Sequence, residues 1–142
     1  MKKEIHKVTL RPVNKTDLKF LFEMLGEREK NVNISHKAMP TFEQHKKFVL
    51  SKPYSKWYII VQNKNKIGSI YLSKQDEIGI FLKKKLYNEG IGTIALKLLI
   101  EKNPRKRYLA NINPKNKKSI HFFKKNNFKI LQHTYELNND SK

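Results

Sequence analysis

The chain has 142 residues, 31 of them Lys or Arg against 12 Asp or Glu, and no cysteine. That length suits a single domain over residues 1–142, long enough for a core but short of two βαβαβ nucleotide-binding halves, so one site is expected. Zero cysteines exclude disulfides, thiolate metal sites and a cysteinyl covalent intermediate, while a formal charge of +19 would gather anions at the surface.

Taken in chain order, residues 7–13 read as a first strand stopped near Pro12. Thr16 then caps an apolar-periodic helix carrying Leu18, Leu21, Phe22 and Leu25, with Gly26 as its stop signal. Residues 27–40 read as loop or irregular helix, and Thr41 with Gln44 three residues on forms a capping-box pattern for a second helix to about Leu50. The period then changes: residues 57–62, 66–73 and 77–82 are β-rich runs divided by polar turns, which predicts an antiparallel meander. A polar link leads to Gly90 and Gly92, and a helix follows to about Glu101, since Pro104 forbids its continuation. Residues 107–112 form the next expected strand, which would make a parallel, right-handed crossover with the one before it. Asn113 and Pro114 turn the chain into a helix over 117–125, and residues 128–137 form a final expected strand. The fold class expected is α/β (α+β), a mixed sheet of six to seven strands with about four helices.

The paired glycines are the most informative stretch. A Gly-x-Gly opening a helix brings backbone N–H groups close to a phosphate, because glycine has no Cβ and a helix start carries partial positive charge. GIGTIA, residues 90–95, satisfies the letters of the dinucleotide fingerprint, but seven residues separate Leu82 from Gly90, and Asn111 and Asn113 stand where an acidic residue is needed. A dinucleotide site is therefore disfavoured.

From here the chain resembles the GNAT superfamily of acetyl-CoA-dependent N-acetyltransferases over nearly its whole length. Its signature loop places Gln or Arg, two residues, Gly, one residue, then Gly or Ala, and Tyr87, Gly90 and Gly92 occupy those positions. NKKSIHFFKKNNF, residues 116–128, is similar to the family's later Asn, helix and Gly-Phe ending, and DEIGIFL is similar to its central strand in the branch with ribosomal-protein and amino-sugar acetyltransferases. Three positions depart: Tyr87 replaces Gln or Arg, Asn127 replaces the glycine before Phe128, and Phe123 stands where many members carry a tyrosine that protonates the leaving thiolate. Asparagine tolerates the left-handed backbone such a position needs.

The resemblance implies acetyl-CoA as cosubstrate, with Tyr87, Asn88, Glu89, Gly90, Ile91, Gly92 and Thr93 around the pyrophosphate. Ile80, Phe81 and Leu82 would lie along the pantetheine arm, with Ile80 and Leu82 offering amides, and Asn116 and Phe123 would complete the cofactor side. A base is needed because the amine arrives as ammonium. Adjacent strand residues point to opposite faces, so only one of Asp76 and Glu77 can face the cleft; Glu77 is favoured, with His36 or Glu136 as alternatives. Ser119, one helical turn before Phe123, is the candidate acid, with Tyr108 and Tyr135 behind it. Arg28, Ser35 and His36 are expected at the acceptor, a small-molecule amine carrying an anionic moiety, with a nucleotide-linked amino sugar favoured. Two alternatives stand beside it: a protein N-terminal or lysine acetyltransferase, as for a ribosomal protein, and a non-catalytic module binding CoA or nucleic acid. A nucleic-acid partner is disfavoured, since neither a recognition helix nor basic residues interleaved with aromatics is found. The five histidines show no metal spacing, so no metal is expected. A monomer or homodimer in the cytoplasm is expected, no apolar run approaching the ~20 residues of a membrane span.

Overall fold

The structure, a computed structural model, describes residues 7–27, 39–86 and 90–140. Strand β1 (Val8–Pro12) leads through a 3-10 turn at Lys15–Asp17 into helix α1 (Leu18–Glu27). Asn14 begins this unit: its side chain accepts from the Thr16 amide while Asp17 accepts from the Asn14 amide, a reciprocal cap two residues earlier than the expected one at Thr16. Gly26 does not stop the helix. It keeps a right-handed backbone beside Met39, so its conformational freedom is unused and α1 continues to Glu27.

Helix α2 (Phe42–Leu50) opens on the capping box read from the sequence, with the Gln44 amide donating to Thr41 Oγ1 at 3.1 Å and the Thr41 amide to Gln44 Oε1 at 2.9 Å. Strands β2 (Lys56–Gln62), β3 (Asn65–Leu72) and β4 (Ile78–Leu82) form the meander. Asn63 and Lys64, at φ 51° and 71°, make the two-residue left-handed turn whose twist matches paired strands. Helices α3 (Ile91–Lys102) and α4 (Lys117–Lys125) follow.

Among the described residues the sheet has four strands in the order β1-β2-β3-β4, every pair antiparallel. This corrects the expectation of a mixed sheet of six to seven strands. The 107–112 run makes a single parallel bridge, Glu77 with Leu109, in which the Ile78 amide donates to the Leu109 carbonyl at 2.7 Å and the Leu109 amide to the Asp76 carbonyl at 2.8 Å. Beyond Leu109 it forms no further bridge to β4. Residues 128–137 join no ladder, and Ile130, Leu131, Tyr135 and Leu137 are exposed. Extended backbone is favoured by their composition, and the rings of His133 and Tyr135, two residues apart, stack on one side. A strand also needs an edge within reach, which composition does not encode.

Both faces of the sheet are covered. Trp57, Ile59 and Val61 meet Leu21 of α1 and Val49 of α2, whereas Tyr58, Ile60, Ile70, Leu72 and Ile78 meet Ala95, Leu96 and Leu99 of α3. This explains the unbroken apolar run WYIIV, for a strand buried on both sides has no reason to alternate. Each fully buried Ile or Leu contributes ~1.5–3 kcal/mol.

Candidate functional site

The outer edge of β4 sets the geometry. The Ser73 amide donates to the Glu77 carbonyl at 2.8 Å and the Lys83 amide to the Ile67 carbonyl at 3.0 Å, in register with the Tyr71/Gly79 and Ser69/Phe81 pairs. Bonded and non-bonded pairs alternate in an antiparallel ladder, so Gly79 and Phe81 commit their backbone groups to β3 while Ile78, Ile80 and Leu82 turn theirs outward. Leu109 takes the Ile78 amide. Above it the amides of Ile80 and Leu82 face the gap left beyond the single bridge, and no described residue bonds to them.

The same gap adjoins the start of α3. Gly90 is its N-cap, left-handed at φ 78° with no side-chain cap, and a Cβ built there meets nothing within 4 Å. Glycine is required by the backbone conformation, and the space in front stays open. The Ile94 amide is the first to bond within the helix, to the Gly90 carbonyl at 3.3 Å. The amides of Ile91, Gly92 and Thr93 therefore form the unpaired first turn of a helix, an arrangement that favours an anion. Gly92 has a different cause: a Cβ there would stand 2.9 Å from the Phe122 ring, so its smallness lets α4 approach. Asn126, a residue the sequence reading missed, donates to Thr93 Oγ1 at 3.3 Å and to the Phe122 carbonyl at 2.9 Å, tying the end of α4 to the start of α3. Nothing local marks it, since its partner lies 33 residues away.

In α4, Asn116 is the N-cap: its Oδ1 accepts from the Ser119 amide at 3.1 Å, and its Nδ2 donates to Ser119 Oγ at 2.9 Å, leaving the hydroxyl proton free to be donated. Phe123 is buried against Phe122 and Phe128, with ring centroids 5.0 Å from each. Asn127 adopts φ 74°, with its amide donating to Lys124 O and the Phe128 amide to Phe123 O, a Schellman ending in which asparagine takes the left-handed position the sequence assigned it.

Asp76 and Glu77 diverge, but not by the strand alternation expected of them, since Asp76 sits in the turn before β4. Asp76, at φ 67°, is ion-paired with Arg105 Nη1, and Arg105 Nη2 donates to Ser55 Oγ at 3.2 Å. Glu77 accepts from Asn111 Nδ2 at 2.9 Å and from Ser73 Oγ at 3.3 Å, which sets its carboxylate at the foot of the gap where 107–112 leaves β4. Tyr108 is committed elsewhere, donating to the Asn103 carbonyl at 2.6 Å and accepting from the Arg105 amide. Arg28, Ser35 and His36, like Tyr87, Asn88 and Glu89, lie outside the described residues. Among the described residues no cluster of three metal-ligating side chains occurs, and no helix is long and apolar enough to cross a membrane.

The sequence pattern described as "Acetyltransferase (GNAT) domain" matches residues 7–129. The chain belongs to this GNAT acetyltransferase family. It is thereby an acetyl-CoA-dependent acyltransferase domain. Solved structures share the GNAT fold. A domain from Methanocaldococcus jannaschii DSM 2661 superposes with a TM-score of 0.77 at 23% identity, covering 92% of this chain and 93% of that one. RimL, a ribosomal L7/L12 alpha-N-protein acetyltransferase in complex with coenzyme A, gives 0.70 at 16% identity, covering 86% and 80%. AAC(6')-Ib in complex with paromomycin and acetyl-CoA gives 0.64 at 24% identity, covering 84% and 81%. A search of curated protein sequences returned no match.

Proposed function

We propose that this GNAT domain moves the acetyl group of acetyl-CoA directly to a primary amine, the favoured acceptor being a nucleotide-linked amino sugar. One observation carries the reading: two outward amides on β4, at Ile80 and Leu82, share a gap with an uncapped helix start at Gly90. Those residues fit coenzyme A, since a free strand edge suits an amide-bearing arm and the open first turn of α3 suits a diphosphate. When bound, acetyl-CoA supplies an activated acetyl thioester. Gly90, Ile91, Gly92 and Thr93, with Tyr87, Asn88 and Glu89 before them, hold the pyrophosphate through their backbone. Ile80, Phe81 and Leu82 align the arm, and one outward amide donates to the thioester carbonyl, where a fixed donor is worth about 3 kcal/mol in the barrier.

Glu77 removes the proton of the incoming ammonium, while Asp76 is held by Arg105 and serves structure. Ser119, steadied by Asn116, donates a hydrogen bond to the departing thiolate, which takes up the second proton that the amine nitrogen loses as the amide forms and the C–S bond breaks. Phe123 acts from the core by setting α4. Arg28, Ser35 and His36 are assigned to the acceptor from the sequence alone, and the +19 charge favours an amine carried on an anion over a polycation. Calorimetry with coenzyme A, followed by thiol release with amino-sugar nucleotides and N-terminal peptides, tests the reading. Turnover restricted to peptides would replace the acceptor; binding without turnover on any amine would leave a CoA-binding module; absence of CoA binding would remove the function.

A further inference from the structure

Where the main-chain ladder between β4 and the segment after α3 stops, a side-chain bond takes its place. Up to Leu109 that segment is fixed: Arg105 pairs with Asp76, the Tyr108 hydroxyl donates to the Asn103 carbonyl at 2.6 Å, and Leu109 bridges to Glu77. A parallel ladder continued by one step would join the Asn111 amide to the Ile78 carbonyl and the Ile80 amide to the Asn111 carbonyl. Among the described residues neither bond forms. Asn111 reaches across with its side chain instead, Nδ2 donating to Glu77 Oε2 at 2.9 Å.

Two observations set this contact apart from ordinary packing. Tyr108, Ala110 and Ile112 pack on the core, so Asn111 falls on the alternate side of the extended chain, the side Leu109 shares with its bridge partner Glu77. Asparagine is poorly suited to extended backbone and the bond is exposed, so local propensity does not explain it and folding gains little from it. The carboxylate is also gripped at its other oxygen. Ser73, buried in the turn before β4, donates from Oγ to Glu77 Oε1 at 3.3 Å while accepting from the Glu77 amide at 3.1 Å. Each oxygen of Glu77 therefore has one protein donor, and each keeps a lone pair for an incoming N–H.

We infer that Asn111 is a positioning residue for the transfer: with the Ser73 hydroxyl it holds the Glu77 carboxylate at the foot of the gap, so that the base meets the amine in one orientation. The inference rests on the acetyl-transfer reading, in which Glu77 is the base. A glutamate stem turns about several bonds, and a donor at each oxygen removes the freedom to swing away from the amine.

The bond is tested first without substrate. In nitrogen-correlated NMR spectra of the full chain, the Asn111 side-chain amide, assigned by its loss in Asn111→Ala, should shift with pH as the neighbouring carboxylate takes up a proton. In Glu77→Gln that shift should vanish. An amide indifferent to pH overturns the inference. Thiol release is then followed with acetyl-CoA and the amino-sugar nucleotide or N-terminal peptide that turns over. Asn111→Ala should lower kcat about tenfold to a hundredfold, with coenzyme A affinity and the KM for acetyl-CoA unchanged. Asn111→Gln, which keeps the donor on a longer stem, should recover part of that loss. Asn111→Asp sets a second carboxylate against the first, so the acid limb of kcat/KM should move to higher pH, a displacement that a role in packing alone would not produce. Unchanged kcat in Asn111→Ala, or an unmoved limb in Asn111→Asp, overturns the inference while the base stands. Full kcat in Glu77→Gln, or no turnover on any amine, removes the base and the inference with it.

Discussion

Gly90 and Gly92 look alike in sequence and answer to different forces. Gly90 is needed for a left-handed backbone in open space, whereas Gly92 is needed for the Phe122 ring above it. Gly90→Ala should therefore lower stability by about 1 kcal/mol through backbone strain and weaken coenzyme A binding, while the core stays intact. Gly92→Ala should displace Phe122 and cost more stability, because the ring is confined by Phe123. Paired thermal melts and calorimetry separate the two outcomes. For the base, Glu77→Gln should reduce kcat by ~10² to 10⁴ with unchanged coenzyme A affinity; unaltered kcat would pass the role to another group. The glycine pair was legible in the sequence, but which glycine served the backbone and which the packing was not, since Phe122 approaches from another helix.

At the scale of elements, the alternation along β4 makes a sharp contrast within five residues. Amides of Gly79 and Phe81 should exchange slowly with deuterium and those of Ile80 and Leu82 quickly, with coenzyme A slowing the second pair alone. Equal protection in the free protein would contradict the open edge. Helices and the meander were readable because capping boxes, turn residues and periodicity are local, as Thr41 with Gln44 and Asn63 with Lys64 demonstrate. Residues 107–112 and 128–137 were misread as full strands for the opposite reason. Their composition favours extension, but a ladder requires a partner edge, and only Leu109 finds one. Asn127→Gly should stabilise the end of α4 by ~1 kcal/mol, measurable by denaturant titration, because glycine meets no steric penalty at φ 74°.

Over the whole molecule, stability should depend on pH through two buried groups. Burial pushes the Asp17 carboxyl up, but hydrogen bonds from Arg11, Lys66 and the Asn14 amide outweigh it and bring the pKa down to about 2. A carboxylate with a depressed folded pKa contributes stability above its unfolded value near 3.8, lost as pH falls toward 2; the difference corresponds to about 2 kcal/mol. His45, lowered by burial against the opposing bond to the Leu18 carbonyl, is favoured neutral, so its contribution is present above the unfolded value of 6.5 and declines as pH falls below it. Denaturant unfolding across pH should show a first decline below 6.5 and a second below 4, the latter flattened in Asp17→Asn. That variant should itself lose ~3 kcal/mol at neutral pH, since Arg11 and Lys66 would be left around an uncharged group. The amino-acid sequence by itself determined where α2 begins, where the meander turns and that a glycine-opened helix follows β4, because propensity, capping and glycine conformation act within a few residues. Only the tertiary structure decided which strand edge stays open, which carboxylate is free of arginine and which asparagine reaches it, because each depends on groups brought together from distant parts of the chain.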